Sequence, residues 1–130
     1  MAVDPSDDVL ADFLADEPDG PVVMLNLLRF ADGGRPRYQQ YAKAFGETVA
    51  PRYGVEVVYA GDGSAALVAE AGQQWDAVLL VRYPTRHAFG RMLADPEYQQ
   101  IAHLRRNALS EAVLQPTRPW GRHRPGAGRS

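Results

Sequence analysis

The chain has no cysteine. That single absence removes disulfides, thiol nucleophiles, zinc ribbons and iron–sulfur clusters. Lysine is almost missing too: Lys43 stands alone against thirteen arginines. No apolar run is longer than about one strand, so no segment reads as a membrane-spanning helix and no membrane partner is expected. There is no GxSxG elbow, no P-loop and no GxGxxG turn, and GDGS at 61–64 is too short to cradle phosphate. The three histidines, His87, His103 and His123, show no HxH, HExxH or His–carboxylate spacing. Neither a metal nor another cofactor is therefore expected. Paired carboxylates for glycoside chemistry are not evident. The first 20 residues carry seven acids and no Lys or Arg, the reverse of a secretory leader, which makes the cytoplasm the expected location.

What is present suits one folded unit. The chain has 130 residues, 45% hydrophobic and 23% charged, enough for a sizeable core. Its net charge of −2 hides three blocks. Residues 1–20 are acidic and are expected to form an N-terminal helical extension. Residues 21–119 are near neutral and are expected to be the folded domain. Residues 120–130 are rich in Arg, Gly and Pro, lack apolar periodicity and are expected to be a disordered tail. The body has no basic surplus, so nucleic acid is not an expected partner.

Periodicity orders the elements. Ser6 before Asp7 and Asp8 marks a helix start, and Val9, Leu10, Phe13 and Leu14 give it an apolar stripe. VVMLNLLRF (22–30) reads as a strand that is apolar on both faces. Pro36 suits the first turn of a helix carrying Tyr38, Tyr41, Ala42, Phe45 and Val49, closed by Pro51 and Gly54. VEVVYA (55–60) predicts a second strand, ALVAE (66–70) a short extended piece, and WDAVLLVRY (75–83) another two-sided apolar strand. Thr85 caps a helix with Phe89, Met92 and Leu93 inward. Asp95-Pro96 starts another, with Tyr98, Ile101, Ala102 and Arg105 on one face. EAVLQPT (111–117) closes the series as a strand.

The order β-α-β-β-α-β predicts an α+β, ferredoxin-like fold with an antiparallel sheet in spatial order 4-1-3-2 and both main helices on one face. Strands apolar on both faces then need a second cover. The expected solution is a homodimer in which two sheets face each other.

Three segments also carry a family likeness. PVVMLNLLRF, WDAVLLVRYP and HAFGRMLADPEYQQIAHLRRNAL resemble the domain of unknown function 1330 family over about residues 21–119. That resemblance implies a dimeric α/β barrel. Relatives in that similar superfamily include cofactor-free monooxygenases, polyketide cyclases, muconolactone-isomerase-like proteins and haem enzymes. It therefore implies a small-molecule-binding protein acting on an apolar or aromatic metabolite, with cyclase, isomerase or monooxygenase chemistry. The alternative is a non-enzymatic accessory protein with a solid core.

Eight residues are candidates for the site. Asn26 is an amide within an apolar strand and must be hydrogen-bonded, either to a ligand that it orients or to its own core. His103 is the candidate base, read against a solvated helix histidine. Arg29 ends the first strand near Trp75 and Asp76, and an Arg29–Asp76 ion pair is expected there, read against an anion-binding arginine. Tyr41, Trp75 and Tyr98 combine aromatic bulk with a polar group, as pocket linings do. Arg105 is a further orienting group. Arg82, at the far end of its strand, reads as a rim or intersubunit residue.

Overall fold

The computed structural model describes residues 4–16 and 18–120. The expected disorder of the tail therefore falls outside the described residues, apart from Trp120. Helix α1 (Asp7–Ala15) precedes strand β1 (Val22–Phe30). Helix α2 (Gly34–Ala44) runs through a π-helical turn, Phe45–Val49, into α3 (Ala50–Tyr53). Strands β2 (Glu56–Asp62) and β3 (Ala77–Tyr83) follow, then α4 (Arg86–Ala94), α5 (Pro96–Ala108) and β4 (Leu109–Thr117). The strands form one antiparallel sheet in the order β2-β3-β1-β4, as the element order predicts.

Capping chemistry sets several boundaries. The Ser6 hydroxyl accepts from Val9 N at 3.3 Å, and Thr85 Oγ1 accepts from Ala88 N at 2.9 Å. Asp95 accepts from Glu97 N at 2.8 Å, with Pro96 in the first helical turn. Strand ends shift from the sequence reading by one or two residues, and three departures are larger or have a clear cause. The second helix starts at Gly34 rather than Pro36, because Gly33 takes the left-handed backbone (φ 67°) and feeds the turn. Pro51 does not end that helix. It sits in the first turn of α3, where the π-turn resets the hydrogen bonding and a missing N–H costs little, and Gly54 (φ 68°) makes the stop. Finally, 66–70 forms no strand. Leu67 and Val68 lie almost fully exposed in a loop held by Ala66 N to Gln74 Oε1 and Glu70 N to Gln73 Oε1.

β1 shows strict period-two burial. Val22, Met24, Asn26 and Leu28 face the helices, and Leu28 is wholly buried. Val23, Leu25 and Leu27 turn to the opposite face, where they remain half-buried. In register they meet Val78 and Leu80 of β3 and Val113 of β4. The open sheet face therefore carries an apolar stripe. Helix α1 covers its own chain: Phe13 meets Phe89 of α4 edge-on at 5.7 Å between ring centres, and Leu14 packs close to Gly90. Arg86 holds the approach by donating to Pro18 O at 2.8 Å.

Asp95 ties α3 to α5. Tyr53 Oη donates to it at 2.6 Å, and so does Arg52, which also bridges Glu97. These bonds, the tyrosine's first, hold the carboxyl down from 3.8 to about 2. A carboxyl held below its unfolded value adds stability that is complete above the unfolded value and lost as pH falls through the folded one. Asp95→Asn is therefore expected to melt below the wild type at neutral pH. The gap should close between pH 3.8 and about 2, as followed by melting temperature against pH.

Candidate functional site

Among the buried strand residues on the helix-covered face, the apolar lining is broken by one amide. Asn26 is 8% exposed at the middle of β1. Its Nδ2 donates to Met24 O at 3.2 Å, and its Oδ1 meets no donor among the described residues. Around it lie Tyr83 of β3, Tyr41 of α2, and Tyr98 and Arg105 of α5, all buried. They enclose a cavity of about 40 Å³. Tyr98 and Arg105 are two helical turns apart, so they present to the same face. Tyr41 Oη and Tyr98 Oη share a hydrogen bond at 3.2 Å. The π-turn begins at Phe45, whose ring packs on Tyr41 at 5.7 Å and Tyr98 at 6.2 Å.

The electrostatics of this pocket are one-sided. Burial pushes the Tyr41 and Tyr83 hydroxyls above their ordinary range, and the Arg105 cation draws both partly back. These phenols stay protonated at neutral pH and serve as hydrogen-bond donors, not bases. Together with the Asn26 amide and the Arg105 guanidinium they form a donor-rich, cationic interior. At its mouth, Asp4 and Pro5 of the N-terminal segment complete the wall. Asp4 faces Arg105 Nη1 at 3.3 Å and Arg106 Nη1 at 3.8 Å.

Four of the residues singled out from sequence, Asn26, Tyr41, Tyr98 and Arg105, thus converge. His103 does not join them: it is exposed on α5, on a different face from Tyr98 and Arg105. Arg29, Trp75 and Asp76 gather elsewhere, at the end of β1. There the expected Arg29–Asp76 pair is replaced. Arg29 bonds Glu111, its register partner on β4, because cross-strand neighbours share a face. It also donates to the carbonyls of Gly72 (3.0 Å) and Gln74 (2.6 Å), and it stacks 4.3 Å over the Trp75 ring. Asp76 instead accepts from Phe30 N at 2.9 Å. Tyr83 and Asp4 were not anticipated. Tyr83 shares the parity of Val81 and Ala77, a signal present in the strand pattern. Asp4 is one acid among seven and carries no spacing signal.

The family model described as domain of unknown function (DUF1330) matches residues 28–115. The chain belongs to the DUF1330 family. A protein of unknown function from Rhodopseudomonas palustris shares 31% identity, with 91% of this chain and 96% of that one covered, at a TM-score of 0.82. More distant likenesses concern the fold alone. A dimeric ferredoxin-like protein of unknown function from Thermobifida fusca aligns at 17% identity and TM-score 0.50, covering 80% of this chain and 94% of that one. A Bacteroides thetaiotaomicron protein, named for antibiotic-biosynthesis monooxygenases, aligns at 20% identity and TM-score 0.52, covering 85% and 97%. No curated protein matches the chain. The DUF1330 fold here is α+β and ferredoxin-like. Among the described residues no helix is long and apolar enough to cross a membrane, and no group of three or more acids or histidines could hold a metal ion.

Proposed function

We propose that this DUF1330 protein is a homodimeric small-molecule-binding protein whose ligand site is the cavity between the helices and the sheet. The observation that carries this reading is the convergence of Asn26, Tyr41, Tyr98 and Arg105 in an otherwise apolar layer. A layer serving only as core is more cheaply built without a buried cation and an amide. An aromatic or apolar metabolite would fill the space, with its oxygen atoms met by the tyrosine hydroxyls and the Asn26 amide. Turnover in such a site needs no cofactor: donors and a cation around an enolate or phenolate oxygen lower the barrier to isomerisation, cyclisation or oxygenation. Asn26 would orient the reacting carbonyl. A role for His103 would require proton exchange from outside the cavity.

The dimer belongs to the same proposal. The stripe of Val23, Leu25, Leu27, Val78, Leu80 and Val113 suits a second copy of itself, and the Thermobifida fusca relative of the fold is dimeric. The Arg29–Trp75 cluster lies at the rim of that face, and Arg82 at its other end. A cytoplasmic location completes the proposal.

Native mass spectrometry of the purified protein tests it. A two-chain species carrying small-molecule mass is expected, and Asn26→Leu should reduce the liganded fraction without dissociating the chains. Bare single chains would overturn both parts.

A further inference from the structure

Arg105 is a full charge placed where charge is expensive. Its side chain is 7% exposed, and two buried phenols, Tyr41 and Tyr83, feel its field. It pairs with Asp4, which lies before α1 in neither helix nor strand, with its side chain 46% exposed. Arg106, itself half-exposed, approaches the same carboxylate from the rim. One carboxylate therefore sits between an inner and an outer arginine, in the only non-repetitive stretch among the cavity's described walls.

The cavity volume sharpens the point. About 40 Å³ holds roughly one or two waters, whereas ligand pockets usually exceed about 300 Å³. Asp4 and Pro5 form part of the wall. Withdrawing them would open the cavity without breaking a helix or a strand. Apart from Asn26 and Arg105, the rest of the wall is aromatic or aliphatic: Phe89, Met92, Leu93 and Leu114 with the tyrosines.

We infer that the cavity takes an aromatic or apolar carboxylate, and that Asp4 is a tethered stand-in for the ligand's own carboxylate at Arg105. The inference rests on the small-molecule reading above and names its ligand class. Binding exchanges one carboxylate for another. The ligand's anionic end replaces Asp4 between Arg105 and Arg106, and its apolar body takes the space released by Asp4 and Pro5 beside Tyr41 and Tyr98. The N-terminal segment then acts as an internal competitor. Ligand affinity is reduced by the fraction of time Asp4 occupies the arginines.

Calorimetric titration of the full chain with benzoate and with its uncharged analogue benzamide tests this. Asp4→Asn keeps the side chain's shape and removes its charge. It is expected to tighten benzoate about tenfold and benzamide clearly less, because both need the vacated space and only benzoate gains the freed cations. Arg106→Gln, at the rim, should weaken benzoate about threefold. Arg105→Gln should bind the two probes alike. Should that variant fail to fold, the Asp4 and Arg106 arms decide the matter alone. If Asp4→Asn tightens both probes equally, or neither, the carboxylate inference is overturned while the cavity remains a ligand site. If neither probe binds the wild type or Asp4→Asn at millimolar concentration, and no small-molecule mass accompanies the native chains, the small-molecule reading falls with it.

Discussion

Gly34→Ala is expected to destabilise the protein by about 3 kcal/mol, lowering the melting temperature by roughly 10 °C. Gly34 is buried at the first position of α2. A Cβ there would overlap the carbonyl oxygen of Ala108, which closes α5. That oxygen cannot simply move away, because it already accepts from Ala31 N at 2.8 Å. Ala108 is itself wholly buried. The substitution must therefore part the start of α2 from the end of α5, the two helices that carry Tyr41 and Arg105. Gly33→Ala is the control. Its backbone is left-handed but a Cβ there meets open space, so only the conformational penalty of about 1 kcal/mol applies. Urea and thermal unfolding of the two variants should rank Gly34→Ala as clearly worse. Equal costs would mean that the helix termini yield more easily than their packing indicates.

The second large effect concerns assembly. Leu25→Glu should convert the proposed dimer to single chains, weakening association by about a thousandfold. Leu25 lies at the middle of the central strand, on the open face, between Leu80 and Gln115 in register. In a two-fold interface one substitution enters twice, so two carboxylates would be buried near the axis with no cation opposite. Each unpaired buried charge costs several kcal/mol. Of the arginines on that face, Arg29 is engaged with Glu111 and two carbonyls, and Arg82 stands at the end of the stripe opposite Val23. Sedimentation velocity reads the outcome directly. Circular dichroism should remain that of the wild type, because the helix-covered core is untouched. A variant that still sediments as two chains would place the interface elsewhere.

The fold was legible because its signals are local and mutually consistent. Asp95-Pro96 announces α5 by cap chemistry alone, and the alternation in VVMLNLLRF puts Asn26 on the same face as Met24 and Leu28. Right-handed connection then orders the sheet. The site was legible only where polar residues interrupt such patterns, as Asn26, Tyr98 and Arg105 do. Asp4 was not, because its partner lies 101 residues away and its neighbours are equally acidic. The Arg29 pairing failed for a related reason. Proximity at a strand end suggested Asp76, but side-chain direction decides pairing, and direction depends on a register that places Glu111 opposite. The segment 66–70 reads as a short extended piece by composition, yet it pairs with neither edge of the sheet, and its apolar side chains remain in solvent.

Lys43 has a practical consequence. It is the chain's only lysine, and its amine is exposed beside Glu47, 3.0 Å away across the start of the π-turn. Amine-directed coupling can therefore place one fluorophore on the body of the protein, with the chain's own α-amine as the other target. The attachment point lies two residues before Phe45, whose ring rests on Tyr41 and Tyr98. A dye there would watch the packing around the cavity from outside, so that ligand entry could be followed as a change in emission without introducing a cysteine.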